Sequence, residues 1–131
     1  MYREDLVYKD ECYKIVGVLY KVYKELGGEL LEKHYQKAVA VALRAENIDF
    51  IEQYPIKIYY QGKFIGISLA DFLIRMPGAE IILEIKKNEN FGIKNIKQVD
   101  NYLKATKFKL GILANFTKSG VKYKRIVNLK R

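Results

Sequence analysis

Residues 79–87 read AEIILEIKK. Ile81, Ile82, Leu83 and Ile85 suit a buried strand, yet Glu84 and Lys86 interrupt its second half. Side chains alternate faces along a strand, so Ile81, Leu83 and Ile85 share one side. Glu80, Ile82, Glu84 and Lys86 share the other, which sets Glu84 and Lys86 about 6–7 Å apart on one face. A further carboxylate, Asp71, interrupts the apolar run SLADFLI thirteen residues upstream. The turn signal RMPGAE lies between, so the arm carrying Asp71 folds back beside the strand carrying Glu84. Two carboxylates can hold Mg²⁺, which takes few protein oxygens and keeps several waters. An ion held there neutralises phosphate charge and acidifies a bound water, and a lysine faces the charge developing on phosphorus. The competing reading is plainer: Glu84 and Lys86 pair on a sheet edge and Asp71 faces solvent, as charges that protect edges do.

The elements that must position these groups follow from periodicity. Between about Leu6 and Leu26, apolar residues recur at helical spacing until Gly27-Gly28 stops the helix. A second helix, ELLEKHYQKAVAVALRAEN, carries Leu31, Tyr35, Ala38, Val39, Ala42 and Leu43 as its stripe, and Asn47 ends it. The period then changes to two. IDFIEQYPIKIYY and FIGISLADFLI form a hairpin about the turn QGK, and IILEIKK is the third strand. GIKNIKQVDNYLKAT returns to helical spacing with Ile93, Ile96, Val99 and Leu103 on one face. FKLGILANF and YKRIVNL are the last strands. The order α-α-β-β-β-α-β-β describes an α/β domain: an antiparallel hairpin feeds a central strand, then a helical crossover leads to a parallel neighbour. Pro55 and Pro77 fall at strand edges or turns.

The chain has 131 residues and no repeat or linker, so residues 1–131 read as one domain. A single cysteine, Cys12, excludes an internal disulfide and a multi-cysteine zinc site; it reads as a small core residue. A single histidine, His34, excludes a multi-histidine metal cluster. MYREDLVYKD has no apolar leader segment, and no stretch approaches the roughly 18 apolar residues of a membrane span, so the expectation is a soluble, cytoplasmic protein. The net charge of +9 favours an anionic partner, of which nucleic acid is the usual one. Lys94, Lys97, Lys104, Lys107, Lys109, Lys122, Lys124, Arg125, Lys130 and Arg131 could line a phosphate track if the fold gathers them. The eleven tyrosines suit either an interface, hence a homodimer, or stacking on unpaired bases.

Asp71 followed, after a hairpin, by Glu84-Ile85-Lys86 resembles the PD-(D/E)XK nuclease-like superfamily. More narrowly, the chain from about Ile15 to Asn128 is similar to the small GxxExxY proteins within it, through KELGGELLEKHYQKAV, YYQGKFIG, ADFLI, ILEIKK, QVDNYLKAT, LGILANF and KRIVN. The resemblance implies a restriction-endonuclease-like core with Asp71 and Glu84 as ligands of Mg²⁺ or Mn²⁺ and Lys86 as the catalytic lysine. It implies Glu32 as an acidic helical residue that reaches the metal site, with Tyr35 one turn on. Gln98 would orient a water or contact Lys86 or the substrate, with Tyr102 on the same face. Tyr35, Tyr102, Lys87, Lys94 and Lys97 would stand around the substrate or behind the residues that touch it. Read without the resemblance, Glu32 and Gln98 are ordinary surface residues, Tyr35 is core packing and His34 is a surface histidine.

Two positions depart from the pattern. Glu29 stands where the signature has glycine, and Leu69 stands where relatives carry an arginine two residues before the aspartate. The leading expectation is a metal-dependent nuclease acting on nucleic acid, DNA first. A Holliday-junction-resolvase-like dimer and a binding module on the same core without turnover are the alternatives.

Overall fold

A computed structural model of the chain describes residues 6–129. Among these residues three helices flank a five-stranded mixed sheet, so the architecture is α/β, consistent with a restriction-endonuclease-like core. In chain order the elements are α1 (Lys9–Leu26), α2 (Glu32–Ala45), β1 (Asp49–Tyr60), β2 (Lys63–Met76), β3 (Ala79–Lys86), α3 (Ile93–Ala105), β4 (Leu110–Thr117) and β5 (Gly120–Val127). The strands lie in the order β1-β2-β3-β4-β5, with β3 parallel to β4 and the other pairs antiparallel. This is the expected sequence of elements.

Both faces of the sheet are covered. Ile81, Leu83 and Ile85 pack with Ile15, Leu19, Tyr35, Val39 and Leu43 of α1 and α2. Ile82 and Leu113 pack on the opposite face with Val99, Tyr102 and Leu103 of α3. Close approach of α3 requires Gly111, since a Cβ there would run into Val99 Cγ1. A central strand covered on both faces must be apolar on both, which explains the run Ile81-Ile82-Leu83.

The boundaries show what local pattern missed. Both helices begin about three residues later than their apolar stripes suggest. Gly27 takes φ 72° to end α1, and Leu31, extended, is the residue before α2. The Leu31 N–H donates to His34 Nδ1 at 3.2 Å, so the lone histidine serves the start of α2. Asn47, at φ 59°, ends that helix region as expected. β5 begins at Gly120 rather than Tyr123, because Thr117 and Gly120 close a tight hairpin that periodicity did not reveal. Ile93 is 72 % exposed: it opens α3 at the rim of a cleft and does not join the buried face of Val99 and Leu103. Cys12 is buried, and burial raises its thiol pKa. Lys130 and Arg131 lie outside the described residues.

The β1–β2 hairpin turns through Gln61 (φ 50°) and Gly62 (φ 78°), the pair of positive φ values that matches strand twist. Only Phe72–Met76 of β2 pair with β3. The hairpin beyond Tyr54 and Ala70 therefore projects as an arm roughly 20 Å long.

Candidate active site

The arm leaves the sheet where the candidate residues stand. Backbone pairing of β2 with β3 stops at Phe72–Leu83. Side chains bridge the strands beyond it. Glu84 Oε1 accepts the Asp71 N–H at 2.6 Å, and Asp71 Oδ2 accepts the Ile85 N–H at 2.8 Å. Each carboxylate is thus tied by one oxygen to the other's strand, leaving Asp71 Oδ1 and Glu84 Oε2 as the outer pair. Lys86 Nζ lies 3.9 Å from Glu84 Oε2, an ion pair too long to be a hydrogen bond. The sheet-edge reading fails here, because β3 is the central strand and Glu84 is only 2 % exposed.

The charges are under strain of their own making. Burial raises the Glu84 pKa to about 7, and the Asp71 carboxylate adds to the rise. Burial likewise raises Asp71; the Ile85 N–H and Lys86 oppose this, and Glu32 reinforces it. Tyr102 is pushed up to about 12 by burial first, then by the charges of Glu84 and Asp71, with Gln98 pulling the other way. The pair is a negative centre that its own lysine only partly offsets.

Glu32 opens α2, and its Oε1 accepts the Lys87 N–H at 3.1 Å, which ties the helix start to the end of β3. That bond brings the third carboxylate near the pair. Tyr35 faces elsewhere. It is fully buried, stacks on Phe116 with ring centroids 4.3 Å apart, donates to the Gly27 carbonyl at 2.5 Å and accepts from the Leu30 N–H at 3.2 Å. Of the two places expected for it, Tyr35 takes the one behind the site: it braces the start of α2, with both hydroxyl capacities used inside the core. Lys87 supplies its backbone N–H to Glu32 and does not line the cleft. Glu29 is exposed, and the tight glycine is instead Gly28, where a Cβ would run into the Thr117 carbonyl.

A cleft of about 1160 Å³ opens between α3 and the hairpin arm, lined by Lys86, Ile58, Ser68, Gln98 and Tyr102. Lys94, Lys97 and Lys104 also line it, so part of the expected cationic track is gathered there. Lys104 also pairs with Asp100 at 3.0 Å. Other members of the track are dispersed. Lys107 and Lys109 line a separate hollow beside Glu80, and Arg125 donates to the Val7 carbonyl at 2.7 Å. Tyr102 donates to the Leu69 carbonyl at 3.2 Å, which fixes α3 to the arm, while the Leu69 side chain is exposed.

Sequence reasoning missed two residues. Gln36, one turn beyond Glu32, donates to Asp71; the i, i+4 spacing from Glu32 was its only signal. Asn115, fully buried in β4 opposite Lys86, was visible only as a lone amide in LGILANF.

Among the described residues no three His, Cys, Asp or Glu side chains converge as a ready metal cage. The donor set nonetheless fits a hard divalent ion: all oxygen, mutually repelling, and short of compensating charge. Mg²⁺ commonly takes one or two carboxylates and completes its shell with water and phosphate oxygens.

A central mixed sheet with paired acids and a lysine where one hairpin leaves it defines a nuclease-type α/β core. The profile of the PD-(D/E)XK nuclease superfamily matches residues 9–126, and the chain belongs to that superfamily. No curated protein matches the sequence. Among solved structures, SSO0001, known from a crystal structure, is similar in fold, with TM-score 0.63 at 21 % identity. The match covers 95 % of this chain and 62 % of that one, so this chain spans less than two thirds of the larger protein.

Proposed function

We propose that the protein is a metal-dependent nuclease that hydrolyses phosphodiester bonds, with DNA as its first candidate substrate and the GxxExxY proteins as the group it resembles within the superfamily. One observation carries this reading: Asp71 and Glu84 are locked together at the end of the β2–β3 ladder, with Lys86 opening onto a lysine-lined cleft. Asp71 and Glu84 would hold Mg²⁺ or Mn²⁺, with Glu32 as the third carboxylate near them. Bound there, the ion supplies charge neutralisation at phosphate and an acidified water. The chain's own groups do the rest. Lys94 and Lys97 draw the phosphate backbone along α3. Lys86 sets its ammonium against the charge that develops on phosphorus. Gln98, half-buried and bonded to Tyr102, orients a water or a phosphate oxygen beside it.

The test is cleavage of linear duplex, single-stranded, flap and four-way-junction DNA with Mg²⁺ or Mn²⁺. Asp71→Asn and Lys86→Met should each lower the rate by about 10²–10⁴-fold while circular dichroism stays unchanged. Wild-type protein that cuts none of these, or variants that cut as well as wild type, would show the reading to be wrong.

A further inference from the structure

Asn115 is the polar side chain that this chemistry leaves unused. It is fully buried, in a strand that is apolar around it, and neither Oδ1 nor Nδ2 has a hydrogen-bond partner among the described residues. Buried carboxamides normally find partners for both ends, so an orphan of this kind requires a physical explanation. The other buried polar side chains show the contrast. Glu84 accepts from the Asp71 N–H, and the Thr117 hydroxyl donates to the Gly120 carbonyl at 2.8 Å.

Register identifies what Asn115 faces. β3 and β4 run parallel with Lys86 opposite Asn115. Ala114 and Phe116 pack against α1 and α2, and Leu113 packs against α3, so alternation puts Asn115 on the α3 face with Glu84 and Lys86. Neighbouring strands are about 4.8 Å apart, which makes Asn115 the lateral neighbour of Lys86. Lys122 of β5 flanks it on the other side. The Lys86 ammonium has three protons to donate, and its ion pair with Glu84 Oε2 spans 3.9 Å. The amide is short of a donor, and the ammonium beside it has protons to give.

We propose that Asn115 is a positioning residue for Lys86: the structure leaves its Oδ1 without a donor, and a rotation of the neighbouring lysine lets Lys86 Nζ donate to it, which holds the ammonium at the base of the cleft. The inference rests on the nuclease reading for its catalytic consequence. A carboxamide suits the task because it is neutral. It can orient the ammonium without cancelling the charge that phosphate must feel, and it does not compete for a cation held by Asp71 and Glu84. Being fully buried, Asn115 acts through Lys86 and touches no substrate.

The experiment uses Asn115→Val, close to asparagine in size and without polar atoms, and Asn115→Ala, which cannot overpack. Lysines are labelled at Cε and Nζ, and the Lys86 resonance is assigned with Lys86→Arg and followed by NMR in Mg²⁺. Both variants should shift that resonance and lower kcat by about 10- to 100-fold with KM nearly unchanged. An unmoved Lys86 signal, or full kcat in a variant of an active wild type, overturns the proposal. A wild type that cuts nothing overturns the nuclease reading instead, and the lysine signal still decides the Asn115 contact.

Discussion

Glu84 and Asp71 accept hydrogen bonds from each other's strands, but bonding does not make their charges compatible. Glu84 has a folded pKa of about 7, above its ordinary value of 4.5, so the folded protein binds an extra proton between those values. Folding stability therefore falls as pH rises from about 4.5 to about 7, by roughly 3 kcal/mol from this group, and then levels off. Urea unfolding of metal-free protein across that range should show the decline. Glu84→Gln should flatten it and leave the variant at least as stable as wild type at pH 8; an unchanged slope would contradict the burial argument. Divalent ions need the ionised acids, so Mg²⁺ should raise the thermal midpoint at pH 8 more than at pH 5.5, and chelation should reverse the gain.

At the level of elements, the site depends on where α2 begins and where β2 parts from β3. Glu32 reaches the end of β3 only because α2 starts at that residue, and Tyr35 fixes that start through Gly27 and Leu30. Tyr35→Phe keeps the stack on Phe116 and loses both hydroxyl bonds. It should cost about 1–2 kcal/mol in denaturant unfolding and leave substrate affinity nearly unchanged. Gly28 lets the α1–α2 connection lie against the β4–β5 turn. Gly28→Ala should lower the thermal midpoint by several degrees, because a Cβ would displace the backbone at Thr117 by an overpacking cost of about 1–3 kcal/mol. A neutral result would show that the turn gives way freely.

Across the whole molecule, a net charge of +9 is not spread evenly over function. Lys94 and Lys97 line the cleft, whereas Lys107 and Lys109 stand at a separate hollow. If phosphate binds along the cleft, replacing Lys94 and Lys97 together by Ala should weaken DNA binding and reduce the slope of log affinity against log salt by about 2. Replacing Lys107 and Lys109 should leave that slope nearly unchanged. Fluorescence anisotropy at several salt concentrations measures both. No helix among the described residues is long and apolar enough to cross a membrane.

The sequence by itself determined the order of the elements, the parallel crossover from β3 to β4, and the shared face of Glu84 and Lys86. These follow from period-two and helical spacing, which are local and survive without knowledge of neighbours. It also exposed Asp71, because a carboxylate in an apolar strand is conspicuous. Tertiary structure bore out the expected central place of β3, which removed the sheet-edge reading of its charges. It alone tied the Tyr35 hydroxyl to Gly27 and Leu30, left Ile93 at a rim, brought Gln36 to Asp71, and set Asn115 beside Lys86. The physical reason is common to all four. Periodicity states which way a side chain leaves its own backbone, but what it meets there depends on chain segments far away in sequence.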